Sequence, residues 1–212
     1  MMKSAMTVGR AWKNASIWLL YFVALLPAGW EFYLGATDNL GADPVKTFER
    51  FLGLWAVRLL ILTLAISPVR DVVRVNLIRY RRALGLTCFY YALTHFSAYV
   101  FLDQELEVHA IIADFVKRPF IMLGMTGLVL LIPLAVTSNA ISIRRLGKNW
   151  LQLHRLIYAI AICGAIHLSL ATKIISIEHW LYLALLTMLI LYRCGRPLLK
   201  RQRTVDILPA KG

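Results

Sequence analysis

The chain has 212 residues, 59% of them hydrophobic and only 17% charged, and its mean hydropathy is +0.66. A soluble domain averages about 45–50% apolar and about 25% charged residues, so this composition excludes a water-soluble globular protein. The formal net charge of +13 calls for no nucleic acid, because anionic lipid headgroups and membrane topology account for such an excess.

Crossing about 30 Å of hydrocarbon takes about 20 helical residues. Six apolar segments of that kind follow one another, at about 17–34, 51–67, 83–102, 119–138, 150–171 and 175–194. The first follows Lys3, Arg10 and Lys13 and contains IWLLYFVALLPAGW, which has the outline of a signal peptide. It runs on to about Leu34 with no small-x-small cleavage site, so it is read as a retained anchor; cleavage would leave five helices in the same orientation.

The second segment carries Arg58 inside WAVRLLILTL, about seven residues from its outer edge. An uncompensated arginine at that depth is costly. A haem propionate or Glu31 would offset it, and snorkelling to the outer headgroups is the other solution. The third segment holds His95, in YYALTHFSAY, and the fifth holds His154 and His167, in LQLHRLIYAI and CGAIHLSLAT. Pro27, Gly124, Gly127, Pro133 and Gly164 lie within spans, as membrane helices tolerate. Between the segments stand plain breaks: LGADPVKTFER, SPVRDVVRVNLIRYRR, DQELEVHAIIADFVKRP, NAISIRRLGK and TKIIS. Cys88, Cys163 and Cys194 form no CxxC pair and read as small packing residues. With no internal repeat and no low-complexity stretch, residues 1–212 form one transmembrane domain.

Counting Arg193 at the inner end of the sixth segment with those outside the spans, seventeen Lys and Arg fall on one side and five on the other. This bias places both termini in the cytoplasm. Asp38, Asp43, Glu49, Asp103, Glu105, Glu107, Asp114 and Glu178 gather on the opposite face. The expected fold is an all-α integral membrane protein, a bundle of six transmembrane helices.

Ionisable side chains inside a membrane mark function, and neutral imidazole coordinates haem iron readily. In this topology His95 and His167 differ in depth by roughly 5 Å, which would let them share one haem in the outer half of the bilayer. A lone histidine serves as readily as an interhelical hydrogen-bond donor; two at matching depth favour a shared ligand. His154 lies about 20 Å from His167 along the helix, toward the cytoplasm. Axial ligation, a place flanking a cofactor and a structural role all stay open for it. Thirteen residues separate the two, about 3.6 turns, so they share no face unless the helix is distorted, for example near Gly164. The inner position on span 3 is occupied by Arg81 and Arg82, suited to haem propionates or a flavin phosphate and unsuited to iron. His109 and His179 read as solvated.

Several segments together carry a family resemblance: LGADPVK at 40–46, RRALGLTCFYYALTHFSAY at 81–99, KRPF at 117–120, LAVTSNAISIRRLGKNWLQLHRLIY at 134–158 and KIIS at 173–176. Through them the chain resembles the MsrQ (formerly YedZ) family. These are haem-binding membrane subunits of the bacterial periplasmic methionine-sulfoxide reductase system and relatives of ferric-reductase-like transmembrane proteins. The resemblance implies a multi-pass b-type cytochrome of the bacterial inner (cytoplasmic) membrane with one haem b, or two. It implies His95, His154 and His167 as haem-linked positions. A cytoplasmic flavin reductase or membrane quinone would be the donor, and the periplasmic molybdopterin subunit MsrP the acceptor. FMN is also associated with the family, although the chain shows no flavin motif. Ferric reductases carry paired histidines on two helices; Arg81 and Arg82 here stand where an inner histidine of span 3 would be.

The expected activity is electron relay. Reductant would arrive where Arg81, Arg82, Arg144, Arg145, Lys148, Trp150 and His154 gather, and a partner would dock on the outer loops. The chain would act as an electron-transfer subunit, with catalysis left to its partner. Two other readings are a quinone-linked cytochrome b subunit of another periplasmic oxidoreductase and a non-haem transporter or assembly factor. A transporter would show inverted repeats with broken helices, and the sequence shows none.

Overall fold

The computed structural model describes residues 2–172 and 176–205, with side chains described for 14–172 and 176–195. Lys173 with most of the KIIS segment, the side chains of Lys3, Arg10 and Lys13, and the basic side chains beyond Gly195 lie outside the described residues.

Nine α-helices and no strands form among the described residues: α1 (Met2–Ala36), α2 (Pro44–Val73), α3 (Ile78–Ala98), α4 (Val108–Lys117), α5 (Pro119–Val136), α6 (Ala140–Leu146), α7 (Lys148–Leu153), α8 (Ile157–Ala171) and α9 (Ile177–Val205). The protein is an all-α membrane protein. Among the described residues, five helical stretches are long and apolar enough to cross a bilayer: Asn14–Ala36, Pro44–Val73, Pro119–Val136, Lys148–Ala171 and Ile177–Gly195. The helix α3 has 21 residues, enough to cross, and Arg79, Arg81 and Arg82 near its start lower its hydropathy.

Local chemistry explains the helix starts. Asp43 caps α2, its carboxylate accepting the Lys46 N–H at 3.0 Å, and Pro44 takes the first helical position, where no N–H is needed. The LGADPVK segment is therefore a helix-start signal. Pro119 opens α5 in the same way, and Asn139 caps α6 by accepting the Ser142 N–H at 2.8 Å. Gly147 turns α6 into α7 at φ +49°, a conformation that suits glycine.

Two of the expected breaks contain helices. The acidic segment after span 3 forms α4, and the basic segment after span 4 forms α6. Span 3 also ends differently from the expectation: α3 runs into a π-helical turn, Tyr99–Asp103. The fifth span is interrupted by a 3₁₀ turn at His154–Leu156, so the distortion lies at His154 itself and not near Gly164.

The helices α2 and α3 pack along each other, as do α5 and α8. Contacts between α3 and α5, and of α9 with both α2 and α8, join the two pairs. Leu52, Leu59, Thr87, Tyr91, Ala161 and Leu186 are the most deeply buried residues of this interior. Lipid offers apolar side chains as good a medium as the bundle does, so helix association rests on packing and interhelical hydrogen bonds. Tyr91 donates to the Ala24 carbonyl at 2.8 Å and ties α3 to α1; the Cys88 thiol donates to the Ala56 carbonyl at 3.3 Å. Trp18, Phe22, Trp30 and Leu191 are exposed, as expected of a lipid-facing surface.

Candidate functional site

His95 stands in the last turn of α3 and His167 on α8. Their ring centroids are 6.2 Å apart and their planes cross at 73°. Each ring is held in the same way. His95 Nδ1 donates to the Glu49 carbonyl of α2 at 2.8 Å, and His167 Nδ1 donates to the Phe120 carbonyl of α5 at 2.6 Å. With each Nδ1–H engaged by a main-chain oxygen, Nε2 carries the free lone pair, the arrangement that orients a metal-binding imidazole.

Four residues beyond each carbonyl is a glycine. A Cβ on Gly53 would lie 3.2 Å from His95 Cε1, and one on Gly124 would lie 2.9 Å from His167 Cε1. Any side chain there would displace the ring. Each histidine is thus seated on a carbonyl at position i and a glycine at i+4 of the facing helix. The α2–α3 and α5–α8 pairs repeat this arrangement.

The pair fits haem iron. Two imidazoles each about 2 Å from one metal, plus a ring radius at either end, need centroids about 6 Å apart. No group of three or more His, Cys, Asp or Glu among the described residues could hold a bare metal ion. A porphyrin, which brings its own four nitrogens, needs only two axial ligands.

Around the pair lies a charged rim. Glu49 Oε2 is buried with no hydrogen-bond partner, 3.8 Å from Lys46 Nζ. Lys46 Nζ sits 2.5 Å from Asp103 Oδ1. Burial pushes the Asp103 carboxyl upward, but the hydrogen bonds from Lys46 and Gln104 prevail and hold it below the usual range. Asp114 receives the Arg118 guanidinium at 3.1 Å and the Tyr99 hydroxyl at 3.3 Å.

Arg58 is satisfied within the protein by residues the sequence reading did not pair with it. Its Nη2 is 2.7 Å from Glu178 Oε1, its Nε donates to the Tyr182 hydroxyl at 2.7 Å, and the guanidinium lies over Trp55 at 5.1 Å. Tyr182 in turn bonds Glu178. Glu178 on α9 thus takes the part expected of Glu31.

His154 is remote from this pair. It stacks on Trp150 at 3.9 Å between ring centroids, and its Nε2 lies 3.1 Å from Thr137 Oγ1. Trp150 Nε1 donates to the Thr137 carbonyl at 3.0 Å. The 3₁₀ turn advances the helix by about 120° per residue instead of about 100° over three residues, which rotates His154 part of the way toward the face of His167. Arg81 and Arg82 diverge: Arg81 has Arg193, Tyr158, Arg70 and His154 as electrostatic neighbours, while the exposed Arg82 has Tyr21 of α1. Arg193 bonds the Tyr158 hydroxyl and keeps a buried Nη1 without a partner.

The sequence reading missed Gly53, the carbonyls of Glu49 and Phe120, and the pairing role of Glu178 and Tyr182. It noted Gly124 only as a tolerated helix glycine. The signal was the spacing: a glycine two residues after the start of span 2 and five after the start of span 4, each with a histidine on a facing span.

The chain matches the family described as "Ferric reductase like transmembrane component" over residues 52–165. It is 51% identical over 210 residues to the "Protein-methionine-sulfoxide reductase heme-binding subunit MsrQ" of Rhizobium meliloti, covering 99% of this chain and 97% of that one. The proteins of the same name from Brucella anthropi and Brucella ovis are 54% and 55% identical. They cover 92% and 91% of this chain, and 87% and 86% of their own lengths is matched. No solved structure matches. With a family match over more than half its length, and at least 51% identity to these relatives over at least 91% of its length, the chain belongs to the MsrQ heme-binding subunits of the ferric reductase-like transmembrane family.

Proposed function

We propose that the protein is the b-type cytochrome subunit that passes electrons through the bacterial inner membrane to a periplasmic molybdopterin methionine-sulfoxide reductase, MsrP, for repair of oxidised envelope proteins. The observation that carries this reading is the paired seating of His95 and His167 with both Nδ1 atoms engaged and their centroids 6.2 Å apart. The names of the relatives, heme-binding subunits of a protein-methionine-sulfoxide reductase, support the assignment to that system.

In this reading residues 1–212 form one domain with α3 as the sixth span and both termini in the cytoplasm. Bound between His95 and His167, haem b supplies reversible one-electron transfer. The protein's part is to hold the two rings, keep both nitrogens in the coordinating tautomer and exclude water. At the cytoplasmic end His154 and Trp150 stand beside Arg81, Tyr158 and Arg193. Their charge suits a propionate or a flavin phosphate, which accommodates a second haem or FMN and delivery from a flavin reductase or quinone. Arg82 faces another way, and Arg58 keeps its charge balanced by Glu178. Neither needs a cofactor to satisfy it, and Arg81 is the arginine favoured as a cofactor contact.

Visible spectra of the detergent-purified protein, oxidised and dithionite-reduced, test the proposal. A reduced b-type band in the parent, lost in both His95→Ala and His167→Ala, is expected. A parent protein without haem, despite haem supplied during expression, would overturn it.

A further inference from the structure

The segment that joins α3 to α5 is a helix whose apolar face has no partner in the protein. Along α4, Val108, Ile112, Phe115 and Val116 form a stripe at i, i+4, i+7 and i+8. With Ile111 at its edge the stripe covers about 140° of the helix circumference at about 100° per residue. Val108, Ile112 and Val116 are 66%, 60% and 73% exposed, and α4 has no buried residue at all. Lys117 projects from the opposite side, and Asp114, by holding Arg118 and Tyr99, turns its own side toward the protein.

Connectivity limits where this face can be. Only Arg118 separates α4 from Pro119, the first residue of a membrane-crossing helix, and the π-helical end of α3 lies just before it. The residues next to α4 in the chain share this character: Phe101 and Leu102 after α3, Leu106 before α4 and Met122 on α5 are all exposed apolar residues. A protein-binding hot spot would feature Trp, Tyr or Arg, whereas this stripe is aliphatic but for one Phe. Amphipathic helices of this make-up lie in the membrane interface.

We propose that α4 is an interfacial helix, lying in the headgroup–acyl boundary of the leaflet where α3 ends and α5 begins, with its Val108–Ile112–Val116 face in lipid. This rests on α3 and α5 crossing the bilayer. The Asp114 contacts would then transmit the membrane level to both sides of the site. Tyr99 extends the helix of His95, and Arg118 and Pro119 lead directly to the Phe120 carbonyl that holds His167.

The test is spin-label accessibility of the full chain in lipid nanodiscs. Single labels are placed by Ile112→Cys and Lys117→Cys on a background of Cys88→Ala, Cys163→Ala and Cys194→Ser. Position 112 should be open to oxygen and shielded from an aqueous nickel chelate, at a depth about 5–10 Å into the boundary. Position 117 should be open to nickel. Val108→Cys repeats the measurement if the label at 112 impairs folding. Val129→Cys, exposed near the middle of α5, reports separately whether α5 itself is in lipid. Nickel access at 112 equal to that at 117 would overturn the proposal, as would closure of 112 to both reagents, the sign of a protein partner or a second copy on this face.

Discussion

The ring of His167 stands where a side chain on Gly124 would have to be, with the two positions only 2.9 Å apart at Cε1. His95 and Gly53 show the same relation at 3.2 Å. The placement of the two rings is therefore set as much by two missing methyl groups as by the histidines.

Substitution of these glycines should separate the two sites in severity. Real Cβ atoms almost never come under 3.0 Å of such a neighbour, so Gly124→Ala should force His167 off its carbonyl and remove most of the haem. Gly53→Ala, a few tenths of an ångström less crowded, should retain haem with a shifted reduction potential. A pyridine haemochrome assay of purified variants, with a redox titration of Gly53→Ala, reads both. Full haem loading in Gly124→Ala would contradict the seating.

His154→Ala should keep the reduced band that depends on His95 and His167 when dithionite is the reductant. Its reduction by a quinol or a flavin reductase should slow, because His154 lies at the end where electrons are expected to enter. Loss of the whole spectrum would instead assign His154 a structural part in the bundle.

Removing the charge of Glu178 leaves Arg58 with no balancing carboxylate, beside the Tyr182 hydroxyl and the Trp55 ring. Because Glu178 is 45% exposed, Glu178→Gln should destabilise the protein by no more than about 1 kcal/mol, and Arg58→Leu combined with it should recover part of the loss. Thermal unfolding in detergent of the two single variants and the double variant gives the coupling. A double variant no better than the sum of the singles would show that the pair contributes little.

The pairing of Lys46 with Asp103 predicts an acid dependence. Its carboxyl is held below the usual range, so the unfolded chain binds the proton more readily and stability rises with pH through this window. The contribution should be complete above the ordinary aspartate range, about pH 5, and should vanish as pH falls through the depressed value. The difference in Tm between the parent and Asp103→Asn, followed from pH 6 downward to about pH 3, should therefore shrink toward zero.

The all-α membrane architecture was legible because long apolar runs have few other solutions, and Asp43–Pro44 and Pro119 mark helix starts by rules that act locally. The histidine pair was legible because imidazoles stand out chemically in apolar sequence. Its supports did not stand out. A main-chain oxygen has no letter in the sequence, and Gly53 looks like any small residue until the facing ring is seen. Arg58 and Glu178 are 120 positions apart, so no periodicity joins them. The stripe on α4 was present in Val108, Ile112 and Val116, but ten residues flanked by acids and bases look like a connecting loop. The 3₁₀ turn at His154 leaves no residue-type signature that Gly or Pro would have given.

Both histidines lean on oxygens of the polypeptide itself, at positions 49 and 120. Evolutionary drift can therefore exchange the side chains at 49 and 120 and leave these two supports intact as long as the helices persist. A library randomised at 49 and 120 should accordingly yield many haem-loaded clones, and one randomised at 53 and 124 should return almost only glycine at 124. The seating of the two imidazoles is written in backbone conformation, which most side-chain substitutions at 49 and 120 leave untouched.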